Sequence, residues 1–244
     1  MLLPNKVMLI TNVTQFAGRA TIGVALREGA HVVAHDSSFG DARARQRFEA
    51  EFPGLHATPA QAAHDVAQAA LDRHGRIDAL VNNDAYPALR APIADAQLGK
   101  LREAFEAMVV RPYELTQKVV PILRGQKGGR IVFVGSAAPL RGIANYSMYV
   151  AVRAAVIGLV SSLARECGRD GITVNAVGSN YVENPDYFPP ALLADKAAMD
   201  KMTAQIPLAR LGKPQELGAT VCFLCSDGAG FITGHLLPHA GGWA

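Results

Sequence analysis

Short apolar runs alternate with longer amphipathic stretches along the whole chain. KVMLITNV, residues 6–13, has the length and composition of a strand, and ATIGVALREG repeats apolar residues at helical spacing before stopping at Gly29. AHVVAHD predicts a second strand and ARARQRFEAEF a charged helix. PAQAAHDVAQAALDRHG reads as another helix, and RIDALVNND as a buried strand with a polar end. The helix EAFEAMVVRPYELTQKVVPILR comes next. Two further strands, GRIVFVGSA and GITVNAVGSN, flank a long helix from about Ser147 to Cys167. Residues 181–208 form a loop with short helices, QELGATVCFLCS is a helix, and HLLPHAGGW ends the sequence.

Apolar strands separated by helices predict an α/β fold with a parallel sheet covered on both faces. The expectation is a doubly wound sheet of about seven strands in one domain over residues 1–244. Ligands of such sheets sit at the carboxyl ends of strands. Thr11, Asn83, Ser136 and Ser179 all fall just past strand ends, where one cleft could collect them.

Composition narrows the classes. Half of the 244 residues are hydrophobic, enough for a large core, and the net charge of +3 is dispersed, with no basic patch carrying interleaved aromatics. Nucleic acid and membrane are therefore not expected partners. No run approaches a membrane span and MLLPNK lacks a signal-like apolar segment, so a cytoplasmic protein is expected. Cys222 and Cys225 form a C-x-x-C within an apolar helical segment, and core packing is the expected role; no metal site is expected.

The candidate chemistry lies in GSAAPLRGIANYSMYVAVRAAVIGLV. Ser136 ends a strand, and Tyr149 and Arg153, four residues apart on a helix, share a face. A phenol is a poor base at neutral pH, but a guanidinium beside it favours the phenolate, and Arg keeps its charge at any working pH. A Ser136 hydroxyl that binds a substrate oxygen beside Tyr149 completes a site for moving a proton on or off an alcohol. Tyr146 is the competing phenol, but the residue four positions on is Val150.

These residues resemble the short-chain dehydrogenase/reductase family, with its Rossmann-like fold, over nearly the full length. That family's Ser…Tyr-x-x-x-Lys motif falls on Ser136, Tyr149 and position 153, which is Arg here. Its T-G-x-x-x-G-x-G loop falls on Thr11 to Gly18, with Asn12 and Phe16 in place of two glycines. Asn82-Asn83-Asp84-Ala85 stands for N-N-A-G, Gly178-Ser179-Asn180 departs from the P-G segment, and the catalytic Asn falls near Met108. All the departures touch the nucleotide site.

Two patterns, T-x-x-x-x-[F/Y]-x-G at Thr11, Phe16 and Gly18 and S-x12-Y-x-x-x-R at Ser136, Tyr149 and Arg153, resemble the halohydrin dehalogenases. The resemblance implies a cofactor-free enzyme acting on a haloalcohol or epoxide. It implies a halide site at Phe16, Ser179, Asn180, Tyr181 and Val182, and we expect Tyr187 and Phe188 as an aromatic lid. It implies a homotetramer packed through helices around 100–122 and 147–167. Trp243 is expected either at a neighbour's pocket or on its own core, and Asp84 near Arg153. The competing expectation is an NAD-dependent alcohol dehydrogenase, for which Asp36, after the second strand, would bind an adenosine ribose.

Overall fold

The computed structural model describes residues 1–185 and 187–244. Seven strands form one sheet: β1 (Val7–Ile10), β2 (His31–Ala34), β3 (His56–Ala57), β4 (Ala79–Asn82), β5 (Gly129–Ser136), β6 (Ile172–Ser179) and β7 (Leu236–His239). All pair in parallel in the order β3-β2-β1-β4-β5-β6-β7. This is the doubly wound topology the alternation predicts. β3 is the strand the sequence pattern hides. It has two residues, and it exists because Val33 and Ala34 of β2 offer it a ladder.

The helices are α1 (Gly18–Arg27), α2 (Ala42–Glu51), α3 (Ala63–His74), α4 (Leu98–Phe105), α5 (Arg111–Gly125), α6 (Ala138–Arg141), α7 (Ser147–Cys167), α8 (Pro190–Ala194), α9 (Lys196–Thr203) and α10 (Pro214–Cys225). The single helix expected over residues 103–124 is divided by a π turn at Glu106–Val110. Pro112, two residues past the turn, has no N–H to give a normal helical bond, and the wider turn takes up the mismatch. One core joins α1 and α10 to the sheet through Ile10, Ile22, Leu217 and Val221. The other joins α3, α5 and α7 through Leu80, Val119, Ile131 and Val160. The central strands β1, β4, β5 and β6 are buried on both sides, which explains their near-continuous apolar runs.

Cys222 and Cys225 lie inside the first core as free thiols. Burial pushes Cys222 up to about 12 and Cys225 well above its usual range, so neither is a reactive thiolate. One sequence expectation is corrected: the stretch Ser147–Asp170 does have the length and mean hydropathy, 1.6, of a membrane span. Its inner face packs against β5 and β6, and its apolar outer positions face away from the sheet.

Candidate active site

The turn after β1 keeps the backbone path of a glycine loop without the glycines. Asn12 and Phe16 have φ of +46° and +31°, the left-handed region that glycine enters most easily. Phe16 carries this strain, of the order of 1–3 kcal/mol, because the turn is fixed from three sides. Asn83 donates through Nδ2 to the carbonyls of Asn12 (2.9 Å) and Gln15 (3.0 Å). The Asn83 N–H donates to Thr11 Oγ1 at 3.1 Å. At Gly18 any Cβ would overlap the Val13 backbone, so this glycine is required where the helix start crosses the turn.

Asp36 supplies the third side. It is 2% exposed, and its Oδ2 accepts from the N–H and hydroxyl of Thr14, while its Oδ1 accepts from the N–H and hydroxyl of Ser38. Burial raises such a carboxyl, but these four bonds outweigh burial and hold it below its ordinary range. Both oxygens are therefore committed to the protein's own loop. Asp36 is an anchor for the turn, which corrects its reading as a ribose ligand. Thr11 and Asn83 are likewise buried loop anchors, so of the four strand-end residues only Ser136 and Ser179 share the cleft.

Ser136 and Ser179 end β5 and β6 side by side in register. Ser136 Oγ accepts from the Ala138 N–H at 3.1 Å, which leaves its own proton to donate. Ser179 Oγ donates to the Gly135 carbonyl at 3.0 Å. Tyr149 stands half-buried on the first turns of α7. Arg153, one turn on and only 6% exposed, places its guanidinium carbon 5.4 Å from the Tyr149 ring centroid. Its Nη1 donates to the carbonyls of Val134 (3.1 Å) and Asp84 (3.4 Å). The charge is thus fixed behind the phenol, as the four-residue spacing predicts.

Ser136, Tyr149, Phe16, Ser179, Asn180, Tyr181, Val182, Tyr187 and Phe188 all line one cavity of about 300 Å³. Arg153 lies outside it, in the adjoining space behind Tyr149. Tyr181 has φ of +52° and packs edge-on against Trp243 at 5.9 Å. Trp243 covers its own chain's core with Ala137 and Ala240, under the Arg141 guanidinium at 4.7 Å. In this conformation the Asn180 N–H donates to His239 O (3.2 Å) and the Tyr181 N–H to Asn180 Oδ1 (3.0 Å). An anion reaching the Tyr181 N–H must therefore displace the Asn180 side chain.

The sequence reading missed Asn184. It is buried, its Nδ2 donates to Val182 O (2.9 Å) and its Oδ1 accepts the Tyr187 N–H (3.0 Å), tying the strand-end turn to the aromatic segment. The Asn184-Pro185 dipeptide, a turn-starting pair, was the available signal.

Asp84 is where the sequence placed it, against Arg153. Its Oδ1 accepts from Asn12 Nδ2 at 2.6 Å, and its Oδ2 is sealed from solvent. Burial drives this carboxyl up, with Arg153, the Asn12 amide and Arg111 pulling back, and it settles at about 7. A nicotinamide nucleotide fits these residues poorly. Phe16 stands in the turn that would cradle the pyrophosphate, and Asp36 has no oxygen left for a ribose. Met108 is apolar and packs with Val152, so it offers no side-chain polar group at the position expected of the dehydrogenases' asparagine.

The family described as Enoyl-(Acyl carrier protein) reductase matches residues 17–244. The 3-oxoacyl-[acyl-carrier-protein] reductase FabG of Thermotoga maritima is 32% identical over 255 residues, covering 99% of each chain. Among solved structures, a dehalogenation enzyme is 67% identical with a TM-score of 0.97 and full coverage of both chains. The halohydrin dehalogenase HheC, bound to ethyl (2S)-oxiran-2-ylacetate, is 29% identical with a TM-score of 0.93, covering 97% of this chain and 96% of that one. The reductases share the fold, and two dehalogenase structures match nearly the full length, one of them at 67% identity, so the chain belongs to the short-chain dehydrogenase/reductase family and, within it, to the halohydrin dehalogenases.

Proposed function

We propose that the protein closes vicinal haloalcohols to epoxides, releasing halide and a proton, and runs the reverse opening with small anions, without a nucleotide. The observation that carries this reading is the single cavity shared by Ser136, Tyr149, Phe16 and the 179–182 turn. Ser136 donates its free proton to the substrate hydroxyl oxygen and orients it. Tyr149, with the Arg153 charge fixed behind its ring, takes the hydroxyl proton. The oxygen lone pair attacks the neighbouring carbon from the back, the carbon–halogen bond breaks, and the halide leaves with the bonding pair. No covalent enzyme intermediate forms.

The departing ion moves into the space walled by Phe16 and the Asn180–Val182 turn, where oriented backbone dipoles meet it once the Asn180 side chain swings aside. The aromatic rings of Phe16, Tyr187 and Phe188 form an apolar wall against competing water. In reverse, Tyr149 returns the proton to the opening epoxide oxygen while halide, azide, cyanide or nitrite attacks from the same pocket. Asp84 touches Arg153, borders a second cavity of about 400 Å³ on the far side, and titrates near neutrality. It is placed to help return each turnover's proton to water.

The reading extends to a cytoplasmic homotetramer. Its support is the outward apolar face of α7 together with exposed Leu98, Val110 and Tyr113 nearby on α4, the π turn and α5. Size-exclusion chromatography with light scattering tests the assembly. The activity is tested by incubating the protein with a bromohydrin and no nucleotide: free bromide and acid should appear together. NADH fluorescence should be unchanged on mixing. Tyr149→Phe should lower halide release by about 10²-fold or more with the fold intact. A Tyr149→Phe enzyme of undiminished rate would show that the base is elsewhere.

A further inference from the structure

We infer that Asn12 is a positioning residue for the base: its side-chain amide fixes the Asp84 carboxyl, and the Asp84 backbone carbonyl in turn takes the Arg153 Nη1–H. This inference rests on the dehalogenase reading above. Asn12 sits one residue past Thr11, at φ +46°, where glycine would serve the backbone equally well. What glycine lacks is the amide, and the amide is in use: Nδ2 donates to Asp84 Oδ1 at 2.6 Å. The Asn12 carbonyl is itself clamped by Asn83, so the donor cannot drift.

The balance at Asp84 gives this bond its leverage. Its Oδ2 is sealed and has no hydrogen-bond partner among the described residues, so the anion depends on few helpers. They are Arg153 from α7, the Asn12 amide from the turn after β1, Arg111 from α5 and the backbone N–H of Asp84 itself. Glu106, Glu114 and His35 line the adjoining cavity that Asp84 borders. Burial already outweighs these helpers, so losing one donor moves Asp84 further towards the neutral acid. A neutral Asp84 no longer anchors Arg153 by charge, nor accepts the proton that turnover leaves behind. The altered turn is thus linked to the phenol through Asp84, whose carboxyl takes the Asn12 amide and whose backbone carbonyl takes Arg153.

Asn12→Gly isolates the amide, because glycine accepts the left-handed backbone without strain. In the bromohydrin assay, its KM should match the wild type. The acid limb of kcat against pH should move about one pH unit towards alkali, with the wild-type plateau recovered above it. Asn12→Asp also tolerates this backbone, sets a second carboxyl against Asp84, and should move the limb further. The pH dependence of the urea midpoint, read without substrate, should shift in the same direction for both variants. Kinetic and unfolding profiles of Asn12→Gly and Asn12→Asp that superpose on the wild type would overturn the inference. If the wild type itself frees no bromide, the dehalogenase reading fails instead, and the unfolding profiles still decide whether Asn12 controls Asp84.

Discussion

Asp84 binds its proton far more tightly in the folded chain than in the unfolded one, and this has a measurable consequence for stability. Its carboxyl rises from the ordinary 3.8 to about 7, chiefly because burial disfavours the anion. At about 1.4 kcal/mol per pH unit, that rise amounts to an upper figure of about 4 kcal/mol of folding free energy. The folded state holds a proton that the unfolded state has released, so the group's favourable contribution is complete below pH 3.8. It is lost as pH rises through about 7. Asp84→Asn keeps the shape and cannot ionise, so it should remove this loss. The variant should gain roughly 2–4 kcal/mol over the wild type at pH 8 and much less at pH 5, measured by urea unfolding at both values. For a chain of this size that is about 4–16 °C in melting temperature. The gain in stability should accompany a fall in halide release, as when a strained group is kept for function. A variant equally or less stable than the wild type at pH 8 would refute the reasoning, because the anion would then not be a burden to the fold.

Other substitutions probe the turn and its anchors. Gly18→Ala forces a Cβ into the Val13 backbone and should cost roughly 3 kcal/mol or more, whereas Gly23→Ala in the same helix meets nothing within 4 Å and should gain about 1 kcal/mol. Urea midpoints of the pair should therefore move in opposite directions. Asp36→Asn leaves one acceptor for the donors of Thr14 and Ser38. It should cost about 1–3 kcal/mol and lower kcat by loosening Phe16, without creating any NADH binding by fluorescence. Since the Asp36 carboxyl is held below its ordinary 3.8, its contribution is present above that pH and is lost as pH falls through its lower folded value; Asp36→Asn should flatten this acid-side loss in unfolding titrations.

The alternation of apolar runs and amphipathic stretches determined the doubly wound sheet, because strands buried on both faces leave no other pattern. Sequence spacing also determined the candidate catalytic set: a tyrosine and arginine four apart share one helix face, and the strand-end serine lies across the cleft from it. Neither rule reaches pairings between distant segments. β3 is invisible in its own two residues, since the ladder comes from β2. Asp36 reads as a ribose ligand until Thr14 and Ser38 are seen closing on both its oxygens. Trp243 could cover its own core or reach a neighbour until Ala137, Ala240 and Arg141 are seen packed around it. The Asn12–Asp84 bond spans 72 positions and depends on β1 lying beside β4. Residue types set which hydrogen bonds are possible, but only the sheet order decided which donors met which acceptors.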